Sequence, residues 1–456
     1  MGKRDINQSS YTLAVLIILF FIWGFLTSMN DVLIPFLKGV FQLSHAQAMI
    51  IQFSFFGAYF IGSLIYFTIS AIWTDPINKI GYKNGIVLGL FLAACGTGLF
   101  YPAAQMVSYG MFLSGLFLLG IGFTLLQISA NPYVAIIGKP ETAPSRLNLA
   151  QGFNSLGTTI APLIGGYLVF KLFTGDAYRN ADALIIPYLS FCFIFILLGL
   201  FFLIIKLPDY KENVSREKWN ISHYPQLIWG IIAIFMYVGS EVSVGSMLIS
   251  FLKQPHIGNM NEFDASKYVS LYWTGLMFGR FLGSFLLNEQ RNKNTFTGVF
   301  ITIFLGWILL WYIHNIELAS LYIIFVFICA FILWKAQNAH HSLAYFSIIN
   351  VLLLLLVIQT SSIIAIWSVV LVGLFNSIMW SNIFTLAIDG LGIHTSRASS
   401  LLVMAIVGGA LLPLLMGVIA DVSNVQYSFI VPLVGFIYLA FYGFIGYKKK
   451  KILREI

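Results

Sequence analysis

The apolar positions of this chain fall into long unbroken runs separated by short polar breaks. They show neither the alternation of a half-buried strand nor the single stripe of a soluble amphipathic helix. Fourteen runs can be marked, at 12–37, 47–72, 84–105, 110–137, 147–173, 184–206, 226–252, 267–288, 295–313, 317–335, 343–359, 361–388, 398–420 and 426–446. A helix needs about 20 apolar residues to cross a bilayer, so the pattern predicts an all-α polytopic membrane protein. The longest hydrophilic connections, about 207–224 and 253–266, leave no room for a separate soluble domain.

Composition agrees. The 456 residues are 59% hydrophobic and 9% charged, with mean hydropathy +0.89, whereas soluble domains carry about 25% charged residues. With a cytoplasmic N-terminus and alternating spans, twenty of the 25 Lys and Arg residues fall on the inner face. That bias obeys the positive-inside rule and predicts that both termini are cytoplasmic. The net charge of +8 therefore reads as topology rather than as a nucleic-acid footprint, and Lys448–Lys451 as an anchor on anionic lipid. Met1-Gly2-Lys3-Arg4 leads into an apolar run too long for a secretory signal, so 12–37 is expected to be a first span. Cys95, Cys192 and Cys329 lie in apolar runs and are expected to be buried small hydrophobes. No metal-ligand spacing and no cofactor motif is present, and without a Walker motif ATP-driven transport lacks support.

The chain also repeats itself. At a shift of 251, Gly122 meets Gly373, Asn131 meets Asn382, Ser145-Arg146 meets Ser396-Arg397, Pro162 meets Pro413 and Gly166 meets Gly417. Phe60-Ile61-Gly62-Ser63 meets Phe281-Leu282-Gly283-Ser284 at 221, and Gly24 meets Gly239 at 215. Two parallel halves of six spans are a recurrent transporter plan. The expected partition is an N-terminal half at 1–206, a cytoplasmic linker at 207–225, a C-terminal half at 226–446 and a basic tail at 447–456. The rise in the shift places an inserted apolar pair at about 295–335. That pair reads as two added spans or as a re-entrant or interfacial hairpin.

Asp31 is the most informative polar position, because it lies inside the first apolar run. An ionised carboxylate in a bilayer costs about 2.5 kcal/mol or considerably more, and such residues usually face a polar cavity. The alternative is a hydrated carboxylate near the outer interface, since Lys38 follows seven residues later. Glu241 is the other acid deep in a span, a candidate for binding a cation or a sugar hydroxyl, or a neutral structural carboxyl. Buried amides form a third class. Gln127 and Asn131 are four apart and Gln151 and Asn154 three apart, so each pair shares a helix face. Asn30 and Asn376 join them. Amides offer donors and acceptors in a fixed plane, which suits sugar hydroxyls, while helix–helix hydrogen bonding is the competing use. Trp23, Tyr133, Trp273 and Trp380 are aromatics that could stack on a pyranose ring. His340 and His341 read as a solvated loop.

Four blocks resemble the fucose–galactose–glucose:proton symporters of the major facilitator superfamily. They are Asn30-Asp31-Val32-Leu33-Ile34-Pro35, Leu125 to Tyr133, Arg146 to Gly157 and Leu401 to Pro413. The resemblance implies that Asp31 takes up and releases the coupled proton and that Gln151 and Asn154 line the sugar cavity. Gln127 stands where fucose-transporting members carry a second essential glutamate. Glutamine cannot titrate, so this position looks more like the glucose/galactose branch, some of whose members are similar to sodium-coupled carriers.

Asp75, Lys79 and Lys83 are similar to the superfamily's cytoplasmic loop motif, an expected latch between helices. Arg146 and Arg397 are expected to latch likewise or simply to anchor the inner face. The expected function is import of a hexose by cation-coupled symport, with a proton or sodium as the ion, by a monomer in a bacterial inner membrane. The other readings are a non-transporting sugar sensor, a transferase acting on lipid-linked sugars, and a drug exporter. The short loops offer the transferase no catalytic cluster, so an enzyme is not expected.

Overall fold

A computed structural model describes residues 3–72, 76–137, 143–169, 181–208, 221–287, 293–313, 316–336, 338–391 and 395–448. Among these there is no strand, and a long helix follows each of the fourteen apolar runs. They are α1 (Lys3–Phe41), α2 (His45–Ile72), α3 (Tyr82–Gln105), α4 (Tyr109–Ile136), α5 (Ala143–Tyr167), α6 (Ile185–Ile204) and α7 (Pro225–Leu252). Then follow α8 (Glu262–Leu286), α9 (Lys293–Ile313), α10 (Ile316–Ala336), α11 (Ala339–Gln359), α12 (Ser362–Ile388), α13 (Leu401–Val422) and α14 (Tyr427–Gly446). Only helices can cross lipid with every backbone group paired inside the segment.

Twelve of these helices are long and apolar enough to cross a membrane; α5 and α8 are the two that are not. Their polar and small residues are explained by position. Each packs along the other, α5 also lies on α1, and α8 is enclosed by α12 and by the α9–α10 pair. Polar groups on these helices face protein rather than lipid, where neighbouring side chains can satisfy them.

The repeat seen in the sequence is a repeat of packing. In the first six helices α1 lies on α5, α2 on α4, and α3 on both α4 and α6. In the later set α7 lies on α13, α8 on α12, and α11 on both α12 and α14. The closest approaches correspond as well. A Cβ on Gly157 would sit 2.2 Å from the carbonyl oxygen of Phe21, and one on Gly408 would sit 1.9 Å from that of Phe235. Gly157 and Gly408 are 251 residues apart, the same shift as the sequence repeat. Only glycine permits backbones to meet at this distance. Between the two sets, α5 packs on α8 and α2 on α13.

The inserted segment forms two complete helices, α9 and α10, each 21 residues long. Both are therefore of spanning length. Only 22% and 28% of their apolar windows are buried in the protein, which leaves most of their surface for lipid. Two other expectations are corrected. His340 and His341 begin α11, and the His340 ring stacks on Tyr447 at 4.4 Å instead of lying in a solvated loop. Cys95 is exposed on α3, while Cys329 is buried and Cys192 half-buried.

Candidate functional site

Asp31 lies in the interior of α1 and is 2% exposed. Its carboxylate accepts a hydrogen bond from Trp273 Nε1 at 2.8 Å and one from Ser28 Oγ at 3.4 Å. The Ser246 side chain is a further polar neighbour of the carboxylate. Gln52 Nε2 in turn donates to Ser246 Oγ at 2.7 Å. Ser28 belongs to α1, but Trp273 is on α8 and Ser246 on α7. Gly245 lets α7 come this near, since a Cβ there would lie 3.2 Å from Trp273 and 3.5 Å from Asp31 Oδ2. The acid of the first set of helices is therefore held largely by the second.

Glu241, on α7, is half-buried and solvated differently. It faces the Arg280 guanidinium of α8 and the hydroxyl of Tyr237. Arg280 Nη1 reaches across to α5 and donates to Ser155 Oγ at 2.5 Å. Around this pair runs a buried network. Asn376 Nδ2 donates to Tyr272 Oη at 2.9 Å, its Oδ1 accepts from Asn350 Nδ2 at 2.9 Å, and Tyr272 Oη donates to the Glu241 carbonyl at 3.0 Å. Asp31 and Glu241 act on each other electrostatically.

The amides fall into two groups. Asn376 is fully buried, and both ends of its side chain are used by protein. Asn154 Nδ2 donates to the Phe20 carbonyl at 3.0 Å and ties α5 to α1. These two serve helix packing. Gln127 lies beside the Tyr59 hydroxyl, which accepts from Trp23 Nε1 at 3.2 Å. Gln151 is half-buried, and its side chain has no hydrogen-bond partner among the described residues. Asn30 Nδ2 and Asn131 Oδ1 are buried, and neither has a partner among the described residues. Buried polar atoms without a partner cost about 1–3 kcal/mol each, so of the candidate amides Asn30, Asn131 and Gln151 are still able to take a polar ligand; Gln52, Gln226 and Asn350 also carry a buried side-chain oxygen with no partner among the described residues. The apolar recess of about 320 Å³ lined by Phe331, Ile332, Lys335, Tyr345, Ile348 and Ile349 lies between α10 and α11 and contains none of these residues.

Of the latch residues, Asp75 lies outside the described residues, as do the side chains of Arg146 and Arg397. Lys79 is exposed. Lys83 donates to the carbonyls of Leu203 and Ile205 at 3.1 and 3.0 Å, capping α6 within the same set of helices. A contact between the two sets lies at the other end of the bundle. There the Asp421 carboxylate, at the end of α13, accepts from the backbone N–H groups of His45 and Ala46 at 2.7 Å each. It caps α2, which has no acid of its own in its first turn. Ser270 Oγ donates to the Thr159 carbonyl at 2.6 Å near that end, joining α8 to α5.

Trp273, Arg280 and Asp421 are the residues whose roles the sequence did not give. Arg280 was counted among the inner-face cations; its place in α8, two turns before the helix end, was the available signal. Asp421 has no local signal, because its partners are 376 and 375 residues away.

A profile of the Major Facilitator Superfamily matches residues 16–345. Over 450 residues the chain is 43% identical to the glucose/galactose transporter of Brucella abortus biovar 1 (strain 9-941), covering 97% of this chain and 96% of that one. It is 29% identical over 458 residues to the L-fucose-proton symporter of Escherichia coli (strain K12), covering 94% and 92%. The crystal structure of the major facilitator transporter FucP in its outward conformation aligns with a TM-score of 0.66 at 26% identity, over 96% of this chain and 98% of that one. The family is one of transporters and not of enzymes. With these matches added to the repeated packing and the buried acid, the chain belongs to the fucose–galactose–glucose:proton symporter family of the major facilitator superfamily.

Proposed function

We propose that this protein imports a hexose of the glucose/galactose type together with a cation, by alternating access. The carrying observation is Asp31, a carboxylate 2% exposed inside a membrane helix and held by a neutral donor from the opposite set of helices. A proton is the ion that this arrangement favours, because a carboxylate among N–H and O–H donors needs no metal to be solvated. The substrate class rests on the relative named as a glucose/galactose transporter and on the free amides Asn30, Asn131 and Gln151. Gln127 fits the same branch, since it cannot titrate.

In this reading 1–206 and 226–446 rock about the site as two bodies, joined by 207–225. The protein is a monomer in the inner membrane with both termini cytoplasmic, and it needs no cofactor. The end closed by Asp421 is the outer end, so the arrangement is the outward-closed one. With the outer end open, Asp31 loads and the sugar binds; the halves rock, and cation and sugar leave inward. Coupling requires that loading Asp31 changes the preferred state or the sugar affinity.

The test is uptake into proteoliposomes over a panel of hexoses, with imposed proton or sodium gradients. Accumulation of glucose or galactose driven by a proton gradient is expected. Accumulation that follows sodium alone reassigns the ion. Absence of flux for every sugar contradicts the transport reading and leaves a sensor.

A further inference from the structure

Asp31 stands on α1, yet its strongest donor, the indole N–H at 2.8 Å, stands on α8 across the interface. We propose that Trp273 is a positioning residue that couples the charge of Asp31 to the seam between the halves: its N–H holds the unloaded, ionised carboxylate in the outward-closed state, and loading loosens that hold. The inference rests on the reading of Asp31 as the coupling acid and adds the element through which its charge is felt.

The chemistry follows from the donor set. An indole N–H donates and cannot accept. A hydrogen bond to an ionised acceptor is about twice as strong as one to a neutral acceptor. Ser246, which accepts from Gln52 Nε2, is a further polar neighbour from the same half. The C-terminal half therefore bonds the N-terminal-half carboxylate through the indole, and that bond loses strength when the carboxylate takes up a cation. The indole is itself fixed. Its ring meets Tyr272 edge-on at 5.1 Å, and Tyr272 is held by Asn376 and by the Glu241 carbonyl. The titratable groups facing Asp31 are Glu241 from α7 and Tyr272 from α8. From α2 it is approached through the neutral Gln52, from its own helix by Ser28, and α5 meets α1 here through Gly165 against Met29 and Val32. The proximity of Asp31 therefore gives Trp273 leverage over the ion step without contact with the sugar amides.

The test compares Trp273→Phe with wild type in proteoliposomes and repeats the comparison in the Asp31→Asn background. Removing the N–H makes the outward-closed state hold its proton more tightly, so release inward needs a higher internal pH. The internal-pH midpoint of gradient-driven accumulation is expected to rise by about one unit, the equivalent of one hydrogen bond to a charged group. Accumulation should fall about tenfold relative to sugar exchange, with the KM for exchange little changed. Ser246→Ala should move the midpoint in the same direction by less. In the Asp31→Asn background, where accumulation is lost, neither change should alter the pH profile of sugar exchange. If Trp273→Phe does not fold, benzothienylalanine at position 273, which keeps the ring and lacks the N–H, takes its place. An unshifted midpoint, or a rise in KM alone, overturns the inference. Accumulation that survives Asp31→Asn overturns the coupling-acid reading itself, and the two failures are thereby distinguished.

Discussion

Asp31 and Glu241 are two carboxylates in the middle of membrane helices, on the repeat-related helices α1 and α7, and the protein solvates them in opposite ways. Asp31 is fully buried and surrounded by neutral polar groups, Trp273, Ser28 and Ser246. Glu241 is half-buried and faces a fixed guanidinium, Arg280. The difference decides which acid is able to change charge. Neutralising Asp31 strands no counter-ion, because its partners are uncharged. Neutralising Glu241 removes a carboxylate charge that the half-buried Arg280 faces. In this account Asp31 is the switching acid and Glu241 is a fixed charge that organises the C-terminal half.

The largest expected effect is that of Asp31→Asn, which should abolish gradient-driven accumulation while sugar exchange persists. If Glu241→Gln gave that phenotype instead, the two roles would be reversed. Next come Glu241→Gln and Arg280→Gln, each expected to destabilise the detergent-solubilised protein by about 1.5 kcal/mol, between the values for an exposed and for a fully buried pair. The double variant should lose clearly less than the sum of the two, read as a coupling of about 1–3 kcal/mol in a thermal-unfolding cycle. Additive losses would show that the pair does not interact. A smaller effect is expected of Asp421→Ala, which removes the cap on α2 at about 1 kcal/mol. That should raise the alkylation rate of a Ser266→Cys reporter, buried at the same end, about fivefold; an unchanged rate would deny Asp421 a gating role. Smallest is Cys95→Ser at an exposed position on α3, expected within about 0.5 kcal/mol of wild type in stability and unaltered in transport.

Much of this was legible in the sequence, for identifiable reasons. The apolar runs fix the helices because a bilayer admits little else, and most observed ends fall within a few residues of the runs. The repeat was legible because close packing fixes glycines, and Gly157 and Gly408 occupy equivalent contacts. Asp31 stood out because a charge in lipid is costly. What stayed hidden depends on partners far along the chain. Nothing in the local sequence says that Asn376 is spent on Tyr272 and Asn350, or that Trp273 donates to Asp31 from 242 residues away. Arg280 was concealed by the charge count, which assigns cations to a face and does not see one folded back toward the interior. The cysteines show the same limit, because an apolar helix in lipid has no sequence mark for which side faces protein.

The central claim is that the ion travels by way of Asp31. Its most direct test is ion movement driven by sugar alone. Sugar is added to de-energised proteoliposomes and the entry of protons, or of sodium, is recorded with it. The account predicts ion entry in step with sugar for wild type and sugar entry without ion for Asp31→Asn. Continued ion entry in the Asp31→Asn variant would contradict it.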